Sequence, residues 1–184
     1  MDALYVDRFG VSRTALNAEF LGELHPERVL EVGCNVGTQL EHLGRLTHVR
    51  LAGVDLQRAA LDAARGHLPE ADLLQAAATE LPFPDASFDL VFTSGVLIHI
   101  PPADLGRAMD EMHRVSSRWN WGFEYWAALP TEVAHRGLAS LLWKRDFRLA
   151  RQERFPTLRL VRERRLPYRE DPSLVDVMYL LEKV

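Results

Sequence analysis

Apolar positions along this chain switch repeatedly between two spacings. Between residues 12 and 24, Ala15, Leu16, Phe20, Leu21 and Leu24 fall near the 3.6-residue repeat of a helix, with Ser12 placed to cap it. His25-Pro26 ends that segment, because the residue before a proline is pushed out of the helical region. Residues 28–33 form a short apolar run broken by glycine, which suits a buried strand. A helix over 38–46, a strand over 49–54 and an Ala- and Leu-rich helix over 57–67 follow, and Leu73-Leu74 sits in a short third strand. The turn-rich Pro82-Phe83-Pro84-Asp85-Ala86-Ser87 leads into a fourth strand from Phe88 to Thr93.

Pro101-Pro102 then opens a helix to about Val115, since proline is tolerated in a first turn. Trp119 to Tyr125 reads as a fifth strand and 131–142 as a helix. Two final strands are expected over 157–165 and 174–182, with Pro167 and Pro172 in their link. This alternation predicts an α/β fold, a seven-stranded and mostly parallel sheet with helices on both faces and an antiparallel closing strand. At 184 residues the chain makes one domain with a real core and is too short for two ordinary ones. Within it, 1–25 is expected to form a helical cover, 26–126 a cofactor-binding core, and 127–184 a substrate-side helix and the closing strand pair.

Composition narrows the chemistry. No apolar run approaches the roughly 18 residues that span a membrane, and Met1-Asp2-Ala3-Leu4 lacks the basic start of a secretory signal, so a cytoplasmic protein without membrane partners is expected. The single cysteine, Cys34, excludes an internal disulfide and a thiolate zinc cluster. Seven histidines show no paired metal-ligand spacing, so no metal is expected.

The net charge of -4 conceals an asymmetry. Residues 144–169 hold Lys144, Arg145, Arg148, Arg151, Arg154, Arg159, Arg162, Arg164, Arg165 and Arg169 against only Asp146, Glu153 and Glu163. Such a stretch is either a solvated basic face or an attraction for an anionic substrate. It is short and poor in interleaved aromatics, which argues against nucleic acid.

The junction of the first strand with its helix, Glu31-Val32-Gly33-Cys34-Asn35-Val36-Gly37-Thr38, is where an open α/β sheet places its ligand. Gly33 and Gly37 allow a sharp turn and close approach, and Asn35 is a residue that tolerates a left-handed backbone. The helix N-terminus beyond attracts negative groups such as an amino-acid carboxylate. Asp55, ending the second strand 22 residues after Gly33, is placed to accept hydrogen bonds from two ribose hydroxyls. The spacing is Gly-x-x-x-Gly rather than the dinucleotide Gly-x-Gly-x-x-Gly, and Glu31 would repel a pyrophosphate while suiting a cationic sulfonium amino acid. S-adenosyl-L-methionine is therefore favoured over NAD.

Glu31-x-Gly33-x-Asn35-x-Gly37, Gly53-Val54-Asp55 and Leu81-Pro82-Phe83-Pro84-Asp85-x-Ser87-Phe88-Asp89-Leu90-Val91 resemble the successive motifs of class I S-adenosylmethionine-dependent methyltransferases. A narrower likeness reaches over nearly the whole chain. Gly95-Val96-Leu97-Ile98-His99-Ile100, Trp121-Gly122-Phe123-Glu124-Tyr125, Pro130-Thr131-Glu132-Val133, Arg136-Gly137 and Leu141-Leu142-Trp143-Lys144-Arg145-Asp146-Phe147 are similar to methylases associated with pseudaminic acid biosynthesis.

The resemblance implies a Rossmann-like methyltransferase fold and a cofactor held by Glu31, Gly33, Cys34, Asn35, Gly37, Asp55, Leu56, Ala77, Ala78, Ser94 and Gly95. Ala77 stands where many class I enzymes have an aspartate that holds the adenine amino group, so adenine would rely on Leu56, the Ala78 backbone or another partner. The amino terminus also departs from the family, lacking the aromatic residues usual before Tyr5-Val6-Asp7-Arg8.

Acceptor chemistry is expected at the carboxyl ends of strands four and five. His99 is a candidate base near neutral pH, and Glu124 and Tyr125 are candidates to orient or deprotonate an acceptor; each can equally serve to tie loops or pack. His135 and Arg136 are candidates on the substrate side. The resulting expectation is methyl transfer to O or N of a small polar acceptor, sugar-derived or anionic, in a bacterial biosynthetic pathway. An NAD-dependent oxidoreductase and a non-catalytic S-adenosylmethionine-binding regulator are the rivals.

Overall fold

The computed structural model describes residues 2–46, 49–135 and 138–184. Seven strands form one sheet: β1 (Arg28–Val32), β2 (Arg50–Asp55), β3 (Asp72–Gln75), β4 (Phe88–Ser94), β5 (Ser116–Tyr125), β8 (Leu158–Pro167) and β9 (Val175–Lys183). Their spatial order is β3-β2-β1-β4-β5-β9-β8, parallel from β3 to β5, with β9 antiparallel to both of its neighbours. The chain runs outward from β1 to β3 and then returns to place β4 on the other side of β1. That reversal opens a crevice beyond the carboxyl ends of β1 and β4.

Alternation along the strands fills two core layers. Val29, Leu90, Phe92, Trp121, Phe123, Met178 and Leu180 pack on one face with α2 (Arg13–Leu21), α3 (Thr38–Leu46) and α4 (Arg58–Arg65). Leu30, Val32, Val91, Tyr179 and Leu181 pack on the other with α5 (Pro102–Val115) and α6 (Phe147–Arg154). Ser12 caps α2 as expected, its hydroxyl accepting from the Ala15 N–H at 3.1 Å. A further helix, α1 (Asp2–Phe9), lies over the end of β5, with Tyr5 and Phe9 against Phe123 at ring separations of 5.6 and 6.1 Å.

Two elements differ from the sequence expectation. The helix expected over 131–142 is instead a hairpin, β6 (Thr131–His135) paired antiparallel with β7 (Leu138–Lys144). Leu138, Leu141 and Leu142 recur at helical spacing, but Thr131 and Val133 are β-branched and favour extended backbone. The helix of this region lies later, as α6, where Asp146 accepts from the Leu149 N–H at 2.8 Å and so caps it. β7 packs against the single 3-10 turn Leu97–His99 that follows β4, so the hairpin roofs the end of the sheet.

The basic stretch does not form one open field. Arg154 pairs with Asp110, Arg159 with Glu182, Arg164 with Glu19, and Arg148 with Glu163. Arg151 is buried and donates to Asn120 Oδ1 at 3.1 Å. Most of these cations thus answer a neighbouring carboxylate at the outer edge of the sheet, the bland reading of the charge pattern.

Candidate functional site

The crevice is a cleft of about 660 Å³, within the usual range for small-molecule sites. It is lined by Val32, Gly33, Asn35, Asp55, Leu56, Gln57, Ala76, Ala77, Ala78, Thr79, Ser94, Gly95, Val96, His99, Ile100, Pro101 and Asp104. The loop after β1 is shaped by three alternate left-handed positions, Gly33 at φ 77°, Asn35 at 49° and Gly37 at 74°. Asparagine carries the middle one, as its tolerance of that conformation predicts. Gly33 also needs its missing side chain, since a Cβ there would stand 2.5 Å from Val96 Cγ2.

Asp55 is built into the loop as well as into the cleft. Its Oδ2 accepts from the Asn35 N–H and its Oδ1 from the Gln57 N–H, both at 2.8 Å. Each carboxylate oxygen has a second lone pair, so two hydroxyls of a ribose can still be accepted. Beside it Leu56 is 67% exposed, leaving an apolar face on which a base can lie, opposite Ala77, Ala78 and Ile100.

Glu31 lies behind the loop, 2% exposed, and is not part of the cleft wall. Burial holds its carboxyl well above the usual range, opposed by the charge of Arg13 and by the Leu40 backbone N–H. Its Oε2 accepts no hydrogen bond among the described residues, an orphaned acceptor of the kind an ammonium group would satisfy. With the ribose acceptor at Asp55 and the helix N-terminus of α3, these residues fit the amino-acid and nucleoside ends of S-adenosyl-L-methionine.

Cys34 and Gly37, both expected to hold the cofactor, are placed outside the lining. Cys34 turns into the core, where a Cβ at Gly53 would come within 2.7 Å of its Sγ, and burial pushes its thiol up to about 12. Gly37 packs against Leu68 and supplies turn geometry.

On the other wall, Ser94, Gly95 and Val96 are held from beneath by Glu124. Its Oε1 accepts from the Val96 N–H at 3.4 Å and its Oε2 from the Leu97 N–H at 3.2 Å. Glu124 is fully buried, and burial pushes its carboxyl up to about 7. It therefore ties the loop to β5 and does not face the cleft. His99 does, at the end of the 3-10 turn, with its backbone N–H on Val96 O at 2.9 Å.

Tyr125 stands on the opposite face of β5 from Glu124, with its ring beside Gly95: a Cβ there would lie 3.8 Å from Tyr125 Cε2. Burial raises the Tyr125 phenol further above neutral pH, so it acts as a hydrogen-bond donor and not as a base. His135 closes β6, and Arg136 lies outside the described residues.

Sequence reasoning missed Val96, Gln57, Thr79, Ile100, Pro101 and Asp104 in the wall. Val96 and Ile100 sat within the motif Gly95–Ile100 and Pro101 directly follows it, so proximity to His99 was an available signal. Gln57, Thr79 and Asp104 carried none. Among the described residues no cluster of three metal-binding side chains is present, and no helix is long and apolar enough to cross a membrane.

Residues 29–118 match the family described as a methyltransferase domain. An uncharacterized methyltransferase of Synechocystis sp. is 34% identical over 89 residues, which is 48% of this chain and 42% of that protein. The chain spans less than half the length of the curated relatives it matches.

Among solved structures, an S-adenosylmethionine-dependent methyltransferase of Methanosarcina mazei superposes with a TM-score of 0.72 at 15% identity, over 92% of this chain and 97% of that one. The 1,6-didemethyltoxoflavin-N1-methyltransferase of Burkholderia thailandensis, solved with 1,6-didemethyltoxoflavin and S-adenosylhomocysteine, superposes with a TM-score of 0.73 at 19% identity, over 93% and 76%. At those identities the likeness shows the fold, a Rossmann-like class I sheet.

Proposed function

We propose that the protein, whose residues 29–118 match a methyltransferase domain, binds S-adenosyl-L-methionine in this cleft and transfers its methyl group to O or N of a small polar acceptor. The observation that carries this reading is one continuous cleft at the reversal point of the sheet. It joins Asp55 and the glycine loop on one wall to Ser94, Gly95 and His99 on the other. When bound, S-adenosyl-L-methionine supplies a methyl group on a positive sulfur, open to in-line attack.

The chain's own residues bind, orient and shield. Asp55 and the loop Gly33–Gly37 fix the cofactor's two ends, and Glu124 sets the height of Ser94–Val96 beneath the reacting position. The hairpin against the 3-10 turn limits water on the acceptor side. We assign removal of an acceptor proton, where the chemistry needs it, to His99, which lines the cleft. The small cleft and the hairpin roof favour a small acceptor over a macromolecule. A sugar-derived acceptor and a biosynthetic role rest on the likeness of Gly95–Ile100 and Leu141–Phe147 to the pseudaminic acid-associated methylases.

Incubation with S-adenosylmethionine and a panel of hydroxy- and amino-bearing metabolites, read by mass for addition of one methylene, tests the reading. Turnover with release of S-adenosylhomocysteine is expected. Tight NAD binding without S-adenosylhomocysteine binding would replace it with an oxidoreductase.

A further inference from the structure

We infer that Arg8, Tyr125 and Lys144 form a subsite that recognises an anionic group, a carboxylate or phosphate ester, on the methyl acceptor. This rests on the methyltransferase reading and adds the acceptor's charge to it. Half of the cations of the basic stretch are held in ion pairs, Arg148, Arg154, Arg159, Arg164 and Arg165, and Lys144 lies apart from them. It ends β7, and its Nζ stands 5.5 Å from the centre of the Tyr125 ring.

Its place is fixed from behind. Asp146, two residues on, both caps α6 and accepts from Trp126 Nε1 at 3.3 Å, which ties the end of the hairpin to the end of β5. From the opposite side, α1 brings Arg8. Its guanidinium lies 4.9 Å from the centre of the Tyr168 ring, near enough to the Tyr125 phenol for its charge to act on it. Neither Arg8 nor Lys144 has an ion-pair partner within 4 Å among the described residues.

The local charge is unbalanced. The carboxylate beneath them, Asp176, is 3% exposed and accepts from the Tyr168 hydroxyl at 3.1 Å. Arg8 and Lys144 both act on this one carboxylate, and Arg13 divides its charge between it and Glu31, leaving one more positive charge than negative in the cluster. The Tyr125 phenol keeps its proton and can donate to an anion held between the two cations.

The cluster also sits where an acceptor must. The Tyr125 ring stands beside Gly95, which lines the cofactor cleft, so a molecule anchored here can present its other end toward Ser94 and His99. Tenfold discrimination is within the range expected when a partly buried cation pair meets an anion instead of a neutral isostere.

The experiment is calorimetric titration of the S-adenosylhomocysteine-loaded protein. The probes are paired: small hydroxycarboxylates and sugar phosphates, each beside its methyl ester or unphosphorylated form. The anionic members are expected to bind at least tenfold more tightly, Lys144→Met and Arg8→Gln each to remove most of that preference, and Lys144→Arg to keep it. S-adenosylhomocysteine affinity of the variants serves as the check on folding. Equal binding of charged and neutral probes, no probe binding at all, or a preference that survives both substitutions would overturn the subsite. Failure of S-adenosylhomocysteine itself to bind would remove the methyltransferase reading instead, and anion titration of the unloaded protein would still report on the three side chains.

Discussion

Asp55 has two employments, and they predict how its loss is felt. It holds the Asn35 and Gln57 N–H groups and offers its remaining lone pairs to a ribose, so Asp55→Ala removes charge-assisted hydrogen bonds of about 1.5–3 kcal/mol each. Calorimetry should show S-adenosylhomocysteine affinity weakened about 10- to 100-fold. Gly33→Ala meets both a Cβ contact of 2.5 Å and a backbone at φ 77°, so it should cost about 1–3 kcal/mol in urea unfolding and abolish measurable cofactor binding. Retained affinity in either variant would contradict the assignment.

Residue identity made much of this legible. Asn35 was readable as left-handed, and Asp55 as a residue at the cleft, from type and spacing alone. Glu124 shows the limit. Its position at the end of β5 suggested the cleft, but strands turn successive side chains to opposite faces, and Phe123 and Tyr125 claim the face under α1. The Cys34 side chain departs for a related reason: within a loop that turns so sharply, one side chain can enter the core while its neighbours line the cleft.

Most helices and strands before residue 126 followed from their apolar patterning, with the Ser12 cap and Pro101-Pro102 marking the starts of α2 and α5. The hairpin β6–β7 did not, since its leucines mimic helical spacing and its strand character lies in two β-branched residues and in pairing. Its role gives a test at this scale. Trp126→Phe keeps the ring and removes the hydrogen bond to Asp146, which anchors the hairpin to β5. Cofactor affinity should be unchanged, the acceptor KM should rise several-fold, and stability should fall by about 1 kcal/mol. An unchanged KM would mean that the hairpin needs no such anchor.

Across the whole molecule, a mostly parallel sheet was legible from the alternation of elements, whereas the dispersal of the basic stretch was not, because its carboxylate partners come from distant segments such as Glu19, Asp110 and Glu182. Buried titrating groups act at this scale too. Glu124 is pushed up to about 7 from 4.5 by burial, so between those values the folded chain holds a proton that the unfolded chain has released, and its contribution to stability falls as pH rises. His113, pushed down to about 4 by burial, works in the opposite direction over a similar window. The difference between Glu124→Gln and the wild type isolates the former: the variant should gain relative stability from pH 4.5 to 7 and run parallel above it. A constant difference in urea midpoints would show that Glu124 titrates normally.

The central claim is a cleft made for S-adenosyl-L-methionine. Calorimetric titration of the protein with S-adenosylhomocysteine and, separately, with NAD tests it most directly. One molecule of S-adenosylhomocysteine should bind per chain, with no comparable binding of NAD and with the affinity lost in Asp55→Ala. Binding of NAD alone, or S-adenosylhomocysteine binding indifferent to Asp55, would contradict it.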